Sequence, residues 1–304
     1  MTMAFGTGEL AALGTACIWA VSCQIHSQLS REMGATNLTL LRLPLAVALL
    51  GAACVFSGVS FDHPASVWWY FSLSGLTGVA LCDWLFYGST VLLGPRVACV
   101  CQSLAASMTA FLGVMFLGES LGWAGVLGIA VATVGVIIVV TDGGGRSDGL
   151  ATTPGQRRKG IALALGSALA LALAMFFSKK GFSTGADPLF CAFLRNVAAA
   201  VVFWPVVALM GGSRAAMQSL RSGRGVLPRM ALGAVLGPGI GMWLSLVAVA
   251  NTDTGVAATL IGLEPIAIMP VVWFMTGRRP TVRAVVGAAV AFAGTALLLM
   301  RHHL

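Results

Sequence analysis

The sequence contains two copies of one hydrophobic unit, and this duplication constrains the fold more strongly than any other feature. A shift of 159 positions superposes Trp84 on Trp243 and Gly78 on Gly237. The same shift aligns a leucine and further glycines: Leu104 with Leu263, Gly118 with Gly277, Gly128 with Gly287 and Gly135 with Gly294. A shared composition can match scattered alanines and valines, but it does not hold tryptophans and glycines in one register. The chain is therefore a tandem repeat, and its two copies are expected to fold alike.

Lipid, and not water, is the solvent in which most of this chain can fold. Charged residues make up 9% of the 304 residues, against roughly a quarter in soluble domains. Hydrophobic residues make up 58%, and the mean hydropathy is +0.92. The net charge of +8 is carried largely by loop arginines at a membrane surface. These arginines do not form the basic, aromatic-interleaved face that binds nucleic acid.

Ten apolar stretches approach the length of about 20 residues that a membrane-spanning helix needs. They cover 9–29, 38–58, 67–92, 97–117, 121–140, 160–178, 189–210, 229–250, 255–276 and 281–300. The polar linker 141–159 separates a first unit, 9–140, from a second unit, 160–300. Because each unit has an odd number of stretches, the second enters the membrane in the opposite sense. The predicted fold is an all-α integral membrane protein with ten transmembrane helices, arranged as two inverted five-helix repeats.

The basic residues test this arrangement independently. Thirteen of the 18 lysines and arginines lie in the odd-numbered loops, and the other side holds Lys179, Lys180 and Arg301. Positive residues favour the cytoplasm, so the count places the odd-numbered loops there and both termini outside. The bias falls on the first and third loops of unit one, but on the second and fourth of unit two. Inversion predicts that alternation.

Polar side chains follow helical spacing on three predicted spans of the first unit. One seam contains Asp83, Tyr87 and Thr90, at positions i, i+4 and i+7 of the third span. The other seams contain Trp19, Ser22, Cys23 and His26 on the first span, and Gln102, Ser103, Ser107 and Thr109 on the fourth. Ionisable groups at membrane depth are costly and usually face the protein interior. The seams indicate a shared water-filled cavity, and the alternative is a set of separate hydrogen bonds between helices.

Prolines and glycines interrupt two predicted helices of the second unit. Gly237, Pro238 and Gly239 lie in the eighth span, and Pro265 follows Glu264 in the ninth. A proline frees carbonyl groups in the preceding turn, and a membrane tolerates such a break only where protein or cavity water satisfies them. Broken helices near the membrane centre are typical of transporter binding regions.

Asp83 and Glu264 are the two carboxyl groups that this pattern places well inside predicted spans. Either can carry a proton or a cation, or it can form an ion pair that only fixes helix packing. Arg42 and Arg195 are the candidate partners, and they occupy equivalent places 153 positions apart. Because both arginines lie near the start of a span, a structural role is favoured over substrate contact.

Motifs for catalysis are missing from the sequence. It has no His-Glu-x-x-His, Gly-x-Ser-x-Gly, Walker or paired Asp-rich motif, so no enzyme is predicted. Without a Walker loop, any pumping must draw on an ion gradient or on the gradient of the substrate. The seven cysteines lie in apolar segments, and Cys99 and Cys101 direct their thiols to different helix faces. We therefore expect no disulfide, no metal site and no cofactor.

Short motifs in both units are similar to those of one known family. They are Cys17–Ala20, Arg42, Phe116–Leu121 and Gly135 in unit one, and Gly262–Pro265, Gly277, Gly287 and Gly294 in unit two. With these motifs the chain resembles, twice, the EamA family of the drug/metabolite transporter superfamily. Two departures are that the Gly-Glu pair Gly118–Glu119 becomes Gly277–Arg278, and that the Trp-Gly of the first span is Trp19–Ala20. Family members are often drawn with cytoplasmic termini, opposite to the charge count that we follow.

The resemblance implies a ten-helix exporter of small molecules such as amino acids, aromatic metabolites or drugs, driven by protons or another gradient. In an alternating-access mechanism we expect Asp83 and Glu264 to handle protons or cations. The residues expected to bind substrate are Trp19, His26, Tyr87, Gln102 and Trp243. Those expected to have structural or gating roles are Arg42, Glu119, Arg195, Gly237, Pro238, Gly239 and Pro265.

Two other function classes fit part of the pattern. A non-transporting receptor or scaffold would keep its activity after Asp83→Asn or Glu264→Gln, whereas an intramembrane lipid-modifying enzyme would need a nucleophile or metal cluster near the interface. The expected partners are a small-molecule substrate and the lipid bilayer, with no nucleic acid. The chain is expected to be a monomer or a homodimer in the cell membrane, which would be the inner membrane in a bacterium.

Overall fold

The computed structural model is all-helical. It describes residues 6–117, 122–142, 150, 153–182, 186–210, 212, 216–219, 225–251 and 260–299, and no strand occurs in these ranges. Helices α1 to α5 are Thr7–Met33, Ala35–Phe56, Ala65–Leu93, Pro95–Phe116 and Gly122–Thr141. Helices α6 and α7 are Pro154–Phe182 and Pro188–Leu209. Helix α8 consists of Val226–Ala234, a π-helical turn Val235–Gly241 and Met242–Asn251, and is followed by α9, Glu264–Thr276, and α10, Val282–Leu299.

Helices α1 to α7 are long and apolar enough to cross a membrane. Among the described residues, α9 and α10 are shorter apolar helices, and α9 has 13 residues. The ten predicted spans are therefore matched by seven helices of full membrane-spanning length, and the count of ten stays a prediction. The all-helical part of the fold prediction is confirmed.

The two units share an irregular turn at the same place. Helix α3 contains a π-helical turn at Leu76–Leu81, and the π-helical turn of α8 begins at Val235, 159 positions after Leu76. This is the shift that aligns the two halves of the sequence. A π-helical turn widens the helix by one residue and leaves it continuous. Gly237, Pro238 and Gly239 therefore lie within a continuous helix and not at the expected interruption.

Helices α5 and α10 cross so closely that only glycine fits at the crossing. A Cβ atom on Gly128 would lie 2.7 Å from the Leu298 amide nitrogen and 2.8 Å from the Gly294 carbonyl oxygen. A Cβ atom on Gly135 would lie 2.7 Å from the Gly287 carbonyl oxygen. As the residue number rises along α5, it falls along α10, so the helices are antiparallel. Gly128 faces Gly294, which is the counterpart of Gly135, and Gly135 faces Gly287, which is the counterpart of Gly128.

Helices α2 and α7 show the same pattern of contacts. The Trp204 indole nitrogen donates to the Leu40 carbonyl oxygen at 3.0 Å, and a Cβ atom on Gly51 would lie 3.0 Å from the Phe193 ring. The shift of 153 positions that relates the two arginines pairs Leu40 with Phe193 and Gly51 with Trp204. Equivalent residues are again cross-paired, and the two helices run antiparallel.

The first helix of each unit packs on the third helix of the other unit. Helix α1 packs on α8, and α6 packs on α3. Ser22 of α1 donates to the Gly233 carbonyl oxygen at 3.1 Å, and Ser74 of α3 donates to the Ala174 carbonyl oxygen of α6 at 2.9 Å. Gly233 and Ser74 are 159 positions apart, so both hydrogen bonds involve the same place of the repeat. Because α1 packs on α8, the polar seam of α1 lies against the second unit.

Single glycines connect two pairs of consecutive helices on one side of the bundle. Gly34 joins α1 to α2 with φ 85° and ψ 151°, and Gly94 joins α3 to α4 with φ 87° and ψ 158°. Residues with a side chain hardly ever adopt this backbone conformation. The turns are as short as a connection can be, so they hold α1 beside α2 and α3 beside α4.

Candidate functional site

An ion pair inside the helical bundle forms the centre of the site. Arg42 of α2 forms a salt bridge with Asp83 of α3, one turn before Tyr87 on the same helix. The Arg42 guanidinium also donates to the Tyr87 hydroxyl at 3.3 Å and lies 5.4 Å from the centre of its ring. The spacing of four residues places Asp83 and Tyr87 on one face of α3, so both reach the same arginine.

His26 extends this cluster from α3 to α1 and on to α8. Its Nδ1 atom lies 3.4 Å from the Tyr87 hydroxyl and 3.3 Å from the Ser22 hydroxyl. Ser22 in turn donates to the Gly233 carbonyl oxygen of the second unit. We call Ser22, His26, Arg42, Asp83 and Tyr87 the central polar network. It connects α1, α2 and α3 of unit one with α8 of unit two.

The members of the network differ in exposure, and this difference separates their roles. The His26 residue is 1% exposed, and the Arg42 side chain is 9% exposed. The Asp83 side chain is 24% exposed, so it is the more exposed partner of the ion pair. A charge inside the membrane requires a partner, and here Arg42 and Asp83 provide it for each other.

Trp19 lies against the π-helical turn of α8. Its indole nitrogen donates to the Gly237 carbonyl oxygen at 3.3 Å, and that oxygen also accepts the Met242 amide at the end of the turn. A Cβ atom on Gly241 would lie 2.5 Å from the Trp19 ring, so the absence of a side chain makes room for the indole. Trp19 therefore joins α1 to the widened part of α8.

Gln102 and Trp243 lie apart from the hydrogen bonds of the central polar network. The Gln102 amide nitrogen is 3.3 Å from the Cys82 sulfur, and its oxygen accepts from the Ser167 hydroxyl at 2.5 Å. Gln102 thus connects α4 with α3 and α6. Trp243 is 60% exposed, and none of the hydrogen bonds described for the network includes it. Substrate contact by either residue stays a prediction.

Glu264 belongs to a second cluster, formed with two cysteines. It is the first residue of α9, followed by Pro265 in the first turn, where a missing N–H costs the helix nothing. The Cys99 sulfur lies 4.0 Å from a Glu264 carboxylate oxygen and 3.5 Å from the Cys23 sulfur. The prediction from the sequence placed these cysteines in apolar segments and expected no metal site. It missed their approach because α1, α4 and α9 are far apart along the chain.

Arg195 shows how the second unit departs from the first. The position equivalent to Asp83 is Met242, so α8 offers Arg195 no carboxylate. The Arg195 Nε atom is buried without a hydrogen-bond partner among the described residues, and a Cβ atom on Gly78 would lie 2.9 Å from its Nη2 atom. The charged pair is therefore particular to unit one. Glu119, to which a structural or gating role was assigned, lies outside the described residues.

Removal of the Tyr87 hydroxyl tests whether the network stabilises the fold. We expect Tyr87→Phe to lower the free energy of unfolding by about 1 kcal/mol, because the ring packing stays while the links to Arg42 and His26 are lost. Denaturation of the purified protein in detergent would measure this. The chain has one other tyrosine, the half-buried Tyr70, and Tyr70→Phe is the matched control. Equal stability of the two variants would contradict a stabilising role for the hydroxyl.

Comparison with known proteins agrees with this architecture. The model of the EamA-like transporter family matches the chain twice, over residues 6–141 and 158–300. A solved crystal structure is similar in fold with a TM-score of 0.66 and 17% sequence identity, and the alignment covers 96% of this chain and 97% of the other. At that identity the similarity concerns the fold alone. No curated protein matches the sequence.

Proposed function

Because the chain belongs to the EamA-like transporter family, a family of multi-pass membrane transporters within the drug/metabolite transporter superfamily, we propose that it is a secondary transporter that exports small metabolites by alternating access. The proposed substrates are amino acids, aromatic compounds or drugs, and the proposed driving force is a proton gradient. The observation that carries this proposal is the central polar network, which places an ion pair inside an apolar bundle and whose Ser22 donates a hydrogen bond to Gly233 of the second unit. Such a group is costly in a membrane and is typical of a substrate or ion pathway.

The proposed ten-span, inverted arrangement is supported by the crossings of equivalent helices. Equivalent helices that run antiparallel are related by an axis in the plane of the membrane, as in inverted repeats. The pairs α5–α10 and α2–α7 both run antiparallel with cross-paired equivalent residues. In the proposed mechanism the two five-helix units rock against each other. The α1–α8 and α3–α6 contacts, which join one unit to the other, would rearrange during that movement.

Asp83 is the proposed proton carrier. When it takes up a proton, its carboxylate becomes neutral and its ion pair with Arg42 is lost. The guanidinium then has to find another acceptor, such as a substrate carboxylate, or α2 has to move relative to α3. Proton uptake on one side of the membrane would in this way be linked to the packing of two helices. Glu264, the other carboxyl group that the sequence places well inside a predicted span, is proposed as a second site of proton or cation handling.

The aromatic and polar groups near this ion pair are the proposed substrate contacts. Trp19, His26 and Tyr87 provide rings that can stack on a planar substrate once the movement of the units uncovers His26 and Tyr87, and the Asp83 carboxylate can attract a cationic or amino group. Gln102 and Trp243 are proposed to contact parts of the substrate farther from the ion pair. A substrate that combines an apolar or aromatic body with one charged group fits this composition best.

Transport by purified protein in liposomes tests the proposed function. The protein is expected to move at least one labelled amino acid, aromatic metabolite or cationic drug when a pH gradient is imposed. The flux should fall to that of protein-free liposomes when a protonophore collapses the gradient. Flux that persists after the gradient is collapsed would support the proposed transport but contradict proton coupling. If none of the three classes moves, the proposed function is contradicted, and a receptor or scaffold becomes the better description.

The substrate can be sought in living cells. Cells that overproduce the protein and cells that lack it are expected to differ in one or a few extracellular metabolites, with export raised by overproduction. The Asp62→Asn variant, altered at an exposed loop carboxylate, is a matched control that should export normally. A metabolite accumulating inside the overproducing cells would instead indicate uptake.

A further inference from the structure

Three potential metal ligands meet where α1, α4 and α9 pack together. The Cys23 sulfur, the Cys99 sulfur and a Glu264 carboxylate oxygen all lie within 4.8 Å of one another. Cys23 and Cys99 are 6% and 3% exposed, and Ala20, Ile268 and Val272 form an apolar wall around them. Two of the ligands come from unit one and the third from unit two.

The distances between these atoms fit a tetrahedral metal ion. Zn²⁺ binds thiolate sulfur at about 2.3 Å and carboxylate oxygen at about 2.1 Å, so two sulfurs would be about 3.8 Å apart, and a sulfur and an oxygen about 3.6 Å. The observed separations are 3.5 Å between the two sulfurs and 4.0 Å between the Cys99 sulfur and the Glu264 oxygen. Changes of a few tenths of an ångström in side-chain position would complete the geometry.

We propose that Cys23, Cys99 and Glu264 form a binding site for a thiophilic divalent cation of the Zn²⁺ class. Thiolate ligands select soft or borderline metals, and the carboxylate also suits a divalent ion. When they bind, the two thiolates and the carboxylate supply three negative charges against the two positive charges of the ion, which leaves a net charge of −1. The divalent ion is therefore not left without counter-charges in this apolar place, where a bare cation would be unstable.

The number of ligands indicates a site that exchanges its metal. Structural zinc sites are closed by four protein ligands, whereas three protein ligands leave one position for water or another small ligand. The three ligands also lie on helices of both units, so a bound ion would tie α1 and α4 to α9. If the protein is a transporter, as proposed above, the ion should inhibit it by preventing the units from moving apart. This last consequence rests on the proposed function, whereas the binding of the metal does not.

Cadmium titration of the purified full-length protein tests the site directly. Cd²⁺ reports on thiolate binding through an ultraviolet charge-transfer band, and we expect the band to saturate at one ion per chain. Cys23→Ser and Cys99→Ser should each abolish it, and Glu264→Gln should weaken binding at least about tenfold, as expected for the loss of a ligand. Cys101→Ser is the matched control, since Cys101 is a buried cysteine of the same helix that lies in another core cluster. This control should bind Cd²⁺ as the unaltered chain does.

The wild-type protein provides a second measurement that does not depend on the folding of variants. X-ray absorption of the Zn²⁺-loaded protein should show two sulfur ligands at about 2.3 Å together with oxygen ligands. The proposal is overturned if the unaltered protein gives no saturable band, if the band persists after the Cys23→Ser and Cys99→Ser changes, or if the absorption spectrum shows only oxygen ligands. Metal binding without any transport would overturn the proposed function and leave the site intact. Transport without metal binding would do the reverse.

Discussion

Replacement of Asp83 by asparagine is expected to abolish transport driven by a pH gradient, lowering the rate by at least about a hundredfold, the lower limit for the loss of a general acid–base group. Asparagine keeps the shape and one hydrogen-bond acceptor for Arg42, but it can neither carry a proton nor neutralise the guanidinium. The Arg42 side chain is 9% exposed, so its charge would be left without compensation. Breaking a buried ion pair from one side costs about 3–5 kcal/mol. Because the Asp83 side chain is 24% exposed, we expect a loss of folding stability at the lower end of that range.

A double variant separates the structural part of this effect from the functional part. Replacing a buried ion pair by apolar residues of similar size is often neutral or stabilising. Arg42→Met combined with Asp83→Leu is therefore expected to recover most of the stability lost in Asp83→Asn, without recovering transport. Thermal unfolding in detergent and flux into liposomes measure the two quantities on the same preparation. Transport at the original rate in the double variant would contradict the proposed role of Asp83 and show that the pair only holds the helices together.

A side chain at Gly135 is expected to force α5 and α10 apart. The added Cβ atom would overlap with the backbone of Ala291 and lie 2.7 Å from the Gly287 carbonyl oxygen. Backbone atoms cannot rotate away as the end of a side chain can, so the whole helices must shift. Overpacking costs typically about 1–3 kcal/mol, and we expect Gly135→Ala to lose stability at the upper end of that range. The unfolding temperature in detergent is the measurement.

Because equivalent residues of the two units meet where α5 crosses α10, the equivalent glycine of the second unit should be as sensitive to substitution. Gly294 is the counterpart of Gly135, and a Cβ atom there would meet Ala132 of α5 in the same way, so Gly294→Ala should lose about as much stability. Gly88→Ala on α3 is the control, since its Cβ atom would have an ordinary contact of 3.4 Å with the Leu163 side chain. Unequal losses at the two crossing positions would contradict a symmetric contact between the units. A loss at Gly88 as large as at Gly135 would show that the crossing is not special.

Several parts of the site were predictable because they depend on local spacing. Asp83 and Tyr87 are four residues apart, and helical geometry alone places them on one face. Arg42 was a candidate partner of Asp83 because few charges occur at membrane depth, and the structure pairs the two. The π-helical turns at Leu76–Leu81 and Val235–Gly241 lie in register with the duplication. The π-helical form of these turns was not predicted from the sequence. In the second unit, a proline between glycines favours a break as readily as a widened turn.

The sequence by itself determined the lipid environment, the duplication and the polar faces of three helices in the first unit. These properties follow from composition and from a period of 3.6 residues, which are local. Only the tertiary structure decided that Ser22 is hydrogen-bonded to Gly233 of the other unit and that Cys23, Cys99 and Glu264 meet. Such contacts depend on the rotation and depth of each helix relative to its neighbours. Packing across the whole bundle sets both quantities, since helices of similar apolar surface can slide and turn until their glycines and bulky side chains interlock.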